Sequence, residues 1–149
     1  MNTDARRLEE LLDREIEAAR CLSITLVAER AALTGDAPAV VQELAAEKVR
    51  LLGLIEKLEG ERRSLWGPAD ANNAGAIASG LGSAVAERWR SLMELMAGCR
   101  TANDVNGHII HIRQNQIRQL IDIIRGGPAV TYGPQGKTFA KALRALARA

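Results

Sequence analysis

"CRTANDVNGHIIHIRQNQIRQLIDIIR", residues Cys99 to Arg125, decides how this chain folds. Its isoleucines suit a strand, because β-branched side chains pack well on a pleated surface. Asn103, Asn106 and Gly107 argue for a break, and a glycine inside a helix costs about 1 kcal/mol relative to alanine. Two features make the stretch a helix all the same. A charged or amide residue arrives every third or fourth place, and the apolar phase of Leu92, Leu95, Met96 and Cys99 crosses Asn106-Gly107 without a slip. The helix is expected from Ser83, a suitable N-cap, to about Arg125. Within it Gly107 would admit a neighbouring backbone, while the amides would satisfy buried polar groups.

Working outward, the preceding chain repeats the helical pattern twice. Leu8, Leu12, Ala19, Leu22, Leu26 and Leu33 follow three-and-four spacing over about residues 3–33, with Thr3 as a plausible N-cap and Asp4 at the positive end of the dipole. Arg6, Glu10 and Glu17 fall on the opposite face. Gly35 stops this helix, Asp36 is placed to cap the next, and Pro38 occupies its first turn. Leu44, Leu51, Leu52, Ile55, Leu58 and Leu65 form the stripe of the second helix, about 38–66, ended by Gly67-Pro68. So short a connection makes the two antiparallel neighbours. "GPADANNAGAIASGLGS" then reads as a flexible connector with at most a helical turn. The expected fold is all-α: an antiparallel bundle of three long helices over residues 1–125, with an extended third helix and a flexible or short-helical tail at 126–149.

Composition agrees. Hydrophobic residues make up 47% of the 149 residues but aromatics only 3%, so aliphatic side chains fill narrow helix–helix seams. No apolar run is long enough to span a bilayer, and the charged start "MNTDARRLEELL" is not a secretory signal. Cys21 and Cys99 stand alone, without a disulfide framework, which fits a reducing cytoplasm. The net charge is +2, and Lys137, Lys141, Arg144 and Arg148 give the tail four positive charges without an acid, leaving the body mildly acidic. A nucleic-acid-binding domain would show a dense basic patch instead.

Helix lengths expose a surplus. At 1.5 Å per residue the first two helices span about 45 Å each and the third about 64 Å, so the third overruns its neighbours by about 20 Å. If its start is level with the end of the second, the overhang is Gln114 to Ile124. Ile109, Ile110, Ile112, Ile117, Leu120, Ile121, Ile123 and Ile124 occupy about half the circumference there, interrupted by Arg113 and Gln116. That face is wider than one neighbour needs. The tail folding back, a second copy, or a client helix would each cover it.

No catalytic constellation can be placed, and no cofactor is implied. The triplet closing "TYGPQGKT", Thr131 to Thr138, mimics a phosphate-binding loop, but that loop needs a glycine five places before Gly136, where Thr131 stands. Asp104, His108 and His111 share a helical face at ligand spacing without a fourth ligand, so they read as polar-face residues rather than a metal site. The acids of the first two helices read as surface partners of nearby Arg and Lys. Cys99, in phase with Leu92, Leu95 and Met96, reads as a buried small hydrophobe.

Cys99, Asn103, Asn106-Gly107, the Ile-rich helix, and then Tyr132-Gly133 and Gly136 together resemble the FlgN family of flagellar type III export chaperones. The Leu-rich first helix and "AAEKVRLLGLIEKLEGERRSLW" support the likeness, which covers most of the chain and is specific in its C-terminal half. The resemblance implies a non-enzymatic cytosolic protein that binds terminal segments of hook-associated proteins, which form the hook–filament junction. It keeps them from assembling early and delivers them to the export apparatus. It places Asn106, Gly107, Ile110, Ile117, Leu120, Ile121 and Ile124 in the client-binding helix. Tyr132, Gly133 and Gly136 fall in the segment that docks the export-gate component. Two other classes use the same features: a coiled-coil scaffold or homodimer through the Ile face, and a peripheral membrane module through the amphipathic tail bearing Phe139, Leu143 and Leu146.

Overall fold

The computed structural model describes residues 2–67 and 73–126. It contains four helices: α1 (Asn2–Thr34), α2 (Pro38–Trp66), the short α3 (Ala74–Gly80) and α4 (Ser83–Ile124). The expected all-α bundle of three long helices is what the chain forms. α1 is its axis and packs along its length on both α2 and α4.

Inter-helix bonds fix direction and register. Glu15 pairs with Arg62 and Glu29 with Lys48, so numbers rise on α1 as they fall on α2, and the two run antiparallel. Cys99 meets the Ala19 carbonyl and Asn106 the Leu26 carbonyl, both 80 residues apart. A constant offset means that α4 runs parallel to α1.

The seams have a seven-residue repeat. The buried residues of α4 are Val85, Leu92, Cys99 and Asn106, each seven after the last. On α1 the line Leu8, Glu15, Leu22, Glu29 does the same and is buried throughout. Such a repeat keeps one stripe of a helix facing its neighbour as the two wind together. One core cluster joins Leu8, Leu12, Ile16 and Ala19 to Trp66, Ala74, Ala78, Val85 and Leu92. A second joins Leu11, Ala18, Leu22 and Leu26 to Leu51, Ile55, Leu58 and Cys99.

Local details depart from the sequence reading in three places. α1 already includes Thr3, so that residue is not its cap, and α2 is preceded by Ala37 with no side-chain cap, Pro38 supplying the first-turn geometry. Ser83 opens α4 from inside, behind Gly82. Within the connector, Ala74–Gly80 form a helix of two turns where the sequence suggested at most one. Ala74 and Ala78, one turn apart, are both buried because their small side chains let α3 lie close on α4. Gly67 and Gly82 flank this piece with φ of 84° and 116°, backbone angles that glycine adopts without strain.

α4 passes Gly107 as one uninterrupted helix. The reason for the glycine is not a close backbone approach: a Cβ built there meets nothing within 4 Å.

Candidate functional site: the unpartnered end of α4

The offset of 80 residues between partners on α1 and α4 carries Thr34, the last residue of α1, to the level of Gln114. The ten residues beyond it, to Ile124, extend about 15 Å past the end of α1, close to the overhang expected from helix lengths. No residue of α4 beyond Asn106 is buried, although its aliphatic content rises there. Ile117 and Ile121 are 48% and 41% exposed and Ile124 is 82% exposed, while Ile110 and Leu120 are half-buried. The heptad seam thus continues after its partner has stopped.

Asn106 is the exception among the expected client-binding residues. It is 1% exposed. Its Nδ2 donates to the Leu26 carbonyl and to Glu29 Oε1, both at 2.9 Å, and its Oδ1 accepts from Arg30 Nε at 3.1 Å. A partner on the surface cannot reach it; it pins α4 to α1 at the last buried position of α4. Gly107, next to it, is exposed. Tyr132, Gly133 and Gly136, like the whole tail from residue 127, lie outside the described residues.

The Asn106 layer extends into α2. Lys48 Nζ donates to both Glu29 carboxylate oxygens, at 3.3 and 3.0 Å, and to Asn103 Oδ1 at 3.3 Å. One buried carboxylate therefore holds cations or amides from both flanking helices. Two heptads earlier Glu15 does similar work: Arg62 Nε donates to it at 2.7 Å, and the guanidinium lies against Trp66 and Trp89, at 5.2 and 4.8 Å from the ring centroids. The two rings meet edge-on at 4.9 Å. Burial raises the Glu15 carboxyl above its ordinary range, with Arg62 opposing that shift.

These buried pairs correct the expectation that the acids of α1 are surface groups. The signal was present in their phase, since Glu15 and Glu29 share the seven-residue line of Leu8 and Leu22. A charge on an apolar line is a candidate for a buried pair, provided that its counterion can be found on another helix. By contrast, Arg63–Glu59 is a surface pair at the expected four-residue spacing, and Arg50–Glu47 and Arg20–Glu17 are surface pairs at three-residue spacing.

A second surface feature had no signature in any one segment. Where α2 and α4 diverge over α1, an open cleft of about 180 Å³ is lined by Leu22, Leu26, Leu52, Met96 and Cys99, with Lys48, Arg100 and Asn103 at its rim. Met96 and Asn103 stand fourteen and seven residues before Ile110 on the same line of α4, so the cleft runs toward the distal isoleucines. Cys99 forms part of its floor and is buried, which pushes its thiol pKa up.

Among the described residues no group of three or more His, Cys, Asp or Glu could hold a metal ion, and no helix is long and apolar enough to cross a membrane. What the geometry offers is a helical bundle with one seam left open to a partner. The family model of the FlgN protein matches residues 1–139, nearly the whole chain. The chain belongs to the FlgN family, non-enzymatic flagellar export chaperones for hook-associated proteins. No curated protein and no solved structure matches it.

Proposed function

We propose that the distal half of α4 holds a terminal segment of a hook–filament junction protein in the cytoplasm. Held there, the segment is kept from premature assembly until the complex reaches the type III export apparatus. Ile110, Ile117, Leu120, Ile121 and Ile124 supply the contact, with Gly107 at its near edge. The supporting observation is that no residue of α4 beyond Asn106 is buried and α1 ends level with Gln114, while the aliphatic side chains of α4 continue. An amphipathic client helix completes such a seam as α1 does further down. Because a disordered client loses conformational freedom as it folds onto the surface, affinity per unit area is modest and release is easy. Tyr132, Gly133 and Gly136 are assigned to docking on the export-gate component.

Calorimetric titration with the terminal segment of a hook-associated protein tests the assignment, run beside an Ile117→Asp, Ile121→Asp variant. Saturable binding with a negative heat-capacity change, lost in the variant while its helical circular dichroism persists, is the expected result. Binding that survives both aspartates would remove the distal face from the client site. A fall in oligomer mass in the variant, with client binding unchanged, would make that face a self-association surface instead.

A further inference from the structure

Among the described residues, the cations of distal α4 have no carboxylate partner. Within the bundle, Arg62, Lys48 and Arg88 each face a carboxylate: Glu15, Glu29, and Asp13 with Glu9. Among the described residues, none of Arg100, Arg113, Arg118 and Arg125 has such a partner. Their placement is one-sided. At about 100° per residue, Arg118 and Arg125 fall together along one edge of the Ile110–Ile117–Ile124 line, with Arg100 in the same angular position beside the cleft. Arg113 lies inside the apolar arc and is half-buried. Asp104 and Asp122 follow Arg100 and Arg118 by four residues, about 40° farther round the helix, and no ion pair joins them among the described residues.

This charge pattern discriminates among the occupants that could cover the face. The chain beyond Gly126 is long enough to turn back over it, but from Lys137 onward its charged residues are Lys137, Lys141, Arg144 and Arg148 only. A second copy would bring the same four arginines, with Asp104 and Asp122 one turn after Arg100 and Arg118 as the acids nearest the arginine edge. The tail leaves the arginine edge facing like charge only, and a second copy sets arginines against it with fewer acids than cations, which is unfavourable at close range.

Resting on the function proposed above, we infer that the partner of this surface is an amphipathic helix with carboxylates along one side of its aliphatic stripe. Glu or Asp residues at seven-residue spacing meet Arg118 and Arg125, and the stripe lies on Ile110, Ile117, Ile121 and Ile124. Edge charges of this kind choose the partner and its register, while the aliphatic contact holds it.

Two synthetic helical peptides test this, with identical Ile/Leu heptad stripes and differing only in Glu or Lys at the edge positions. Each is titrated into the full chain at low and at high salt. The Glu peptide is expected to bind about ten-fold more tightly at low salt, from two or three exposed ion pairs. That ratio should shrink toward unity near 1 M salt, where the screening length falls to about 3 Å. An Arg118→Glu, Arg125→Glu variant should reverse the preference; both residues are exposed beyond the last pinned layer, and helical circular dichroism controls for folding. Equal affinities at low salt would overturn the inference and leave the aliphatic client surface standing. So would failure of both peptides while a hook-associated segment binds. Failure of that segment as well would remove the surface reading along with the inference.

Discussion

Asn106→Ala separates a residue that holds the bundle from one that touches a client. The side chain makes a neutral hydrogen bond to the Leu26 carbonyl and two charge-assisted ones, to Glu29 and from Arg30. A neutral bond contributes about 1 kcal/mol net and a charged one about 1.5–3 kcal/mol, provided that the deprived partner stays dry and unpaired. Neither charged partner does. Arg30 is exposed and regains water, and Glu29 keeps Lys48 at 3.0 Å. The expected loss is therefore near the low end, about 3 kcal/mol, a drop of about 6–12 °C in midpoint for a domain of this size. Thermal melts at 222 nm read the stability, and titration with a hook-associated terminal segment at 25 °C reads the binding. Affinity should stay within about three-fold of wild type, because the residue is 1% exposed and a factor of three is under 1 kcal/mol. A stability loss below 1 kcal/mol would show that the network does not pin α4. A ten-fold loss of affinity with helical content intact would return Asn106 to the client surface.

Four further outcomes bear on the same reasoning. Gly107→Ala should stabilise the protein by about 1 kcal/mol in chemical denaturation, because the helix is continuous and a Cβ there meets nothing; destabilisation would reveal a close contact at that point. Glu15→Ala should cost about 3–5 kcal/mol by stranding buried Arg62, whereas Glu15→Leu with Arg62→Met should recover most of it. The Glu15 carboxyl also sets a pH trend: with its folded pKa raised above the unfolded 4.5, the folded state binds more protons, so its contribution is fully present below that value and declines as pH rises through the folded one. Denaturation curves of wild type and Glu15→Gln should thus diverge on going from about pH 4 toward neutrality, with wild type losing ground; a constant difference would contradict the raised carboxyl. Tyr132→Ala should leave client affinity unchanged while lowering export of the client into the medium.

The apolar phase made the bundle legible. Six positions chosen on α1, Leu8, Leu12, Ala19, Leu22, Leu26 and Leu33, are all buried. On α2 the same rule failed at Leu52, which is 45% exposed, since a stripe of two adjacent leucines cannot put both against a single neighbour. The overhang was legible because it follows from helix length and direction alone. What sequence periodicity could not supply was the partner of each polar residue. Asn106 needs Leu26, Glu29 and Arg30 from a helix about 80 positions away, and no local pattern encodes that distance. The aromatic contact of Trp66 with Trp89 across the α2–α4 boundary is of the same kind.

The placement of the polar layers explains how one helix can serve two ends. A long apolar seam is tolerant of slippage, because one aliphatic layer fits the next almost equally well. Along α4, a slip of one heptad would carry Asn106 away from Glu29 and put Arg113 at the Leu26 level, leaving buried groups unpaired. That costs several kcal/mol, far more than the aliphatic layers distinguish among themselves. Lys48 ties α2 into the same layer through Glu29 and Asn103. The last polar layer thus fixes where the bundle stops and how much of α4 is left outside it. Beyond that layer the line of Asn106 runs on to Arg113 and Leu120, and that of Met96 and Asn103 to Ile110, Ile117 and Ile124, none of them buried. A client that binds there meets a stripe whose length and facing have been set by residues it never touches, so substitutions at Glu29 should change client affinity only through the register and stability of α4. Glu29→Gln, which keeps the shape and the amide-to-oxygen bond from Asn106 but removes the charge held by Lys48, is the sharpest case. It should lower the melting midpoint while leaving the heat of client binding per mole of folded protein unchanged. A change in that heat would mean that the pinned layer and the open seam are one surface, not two.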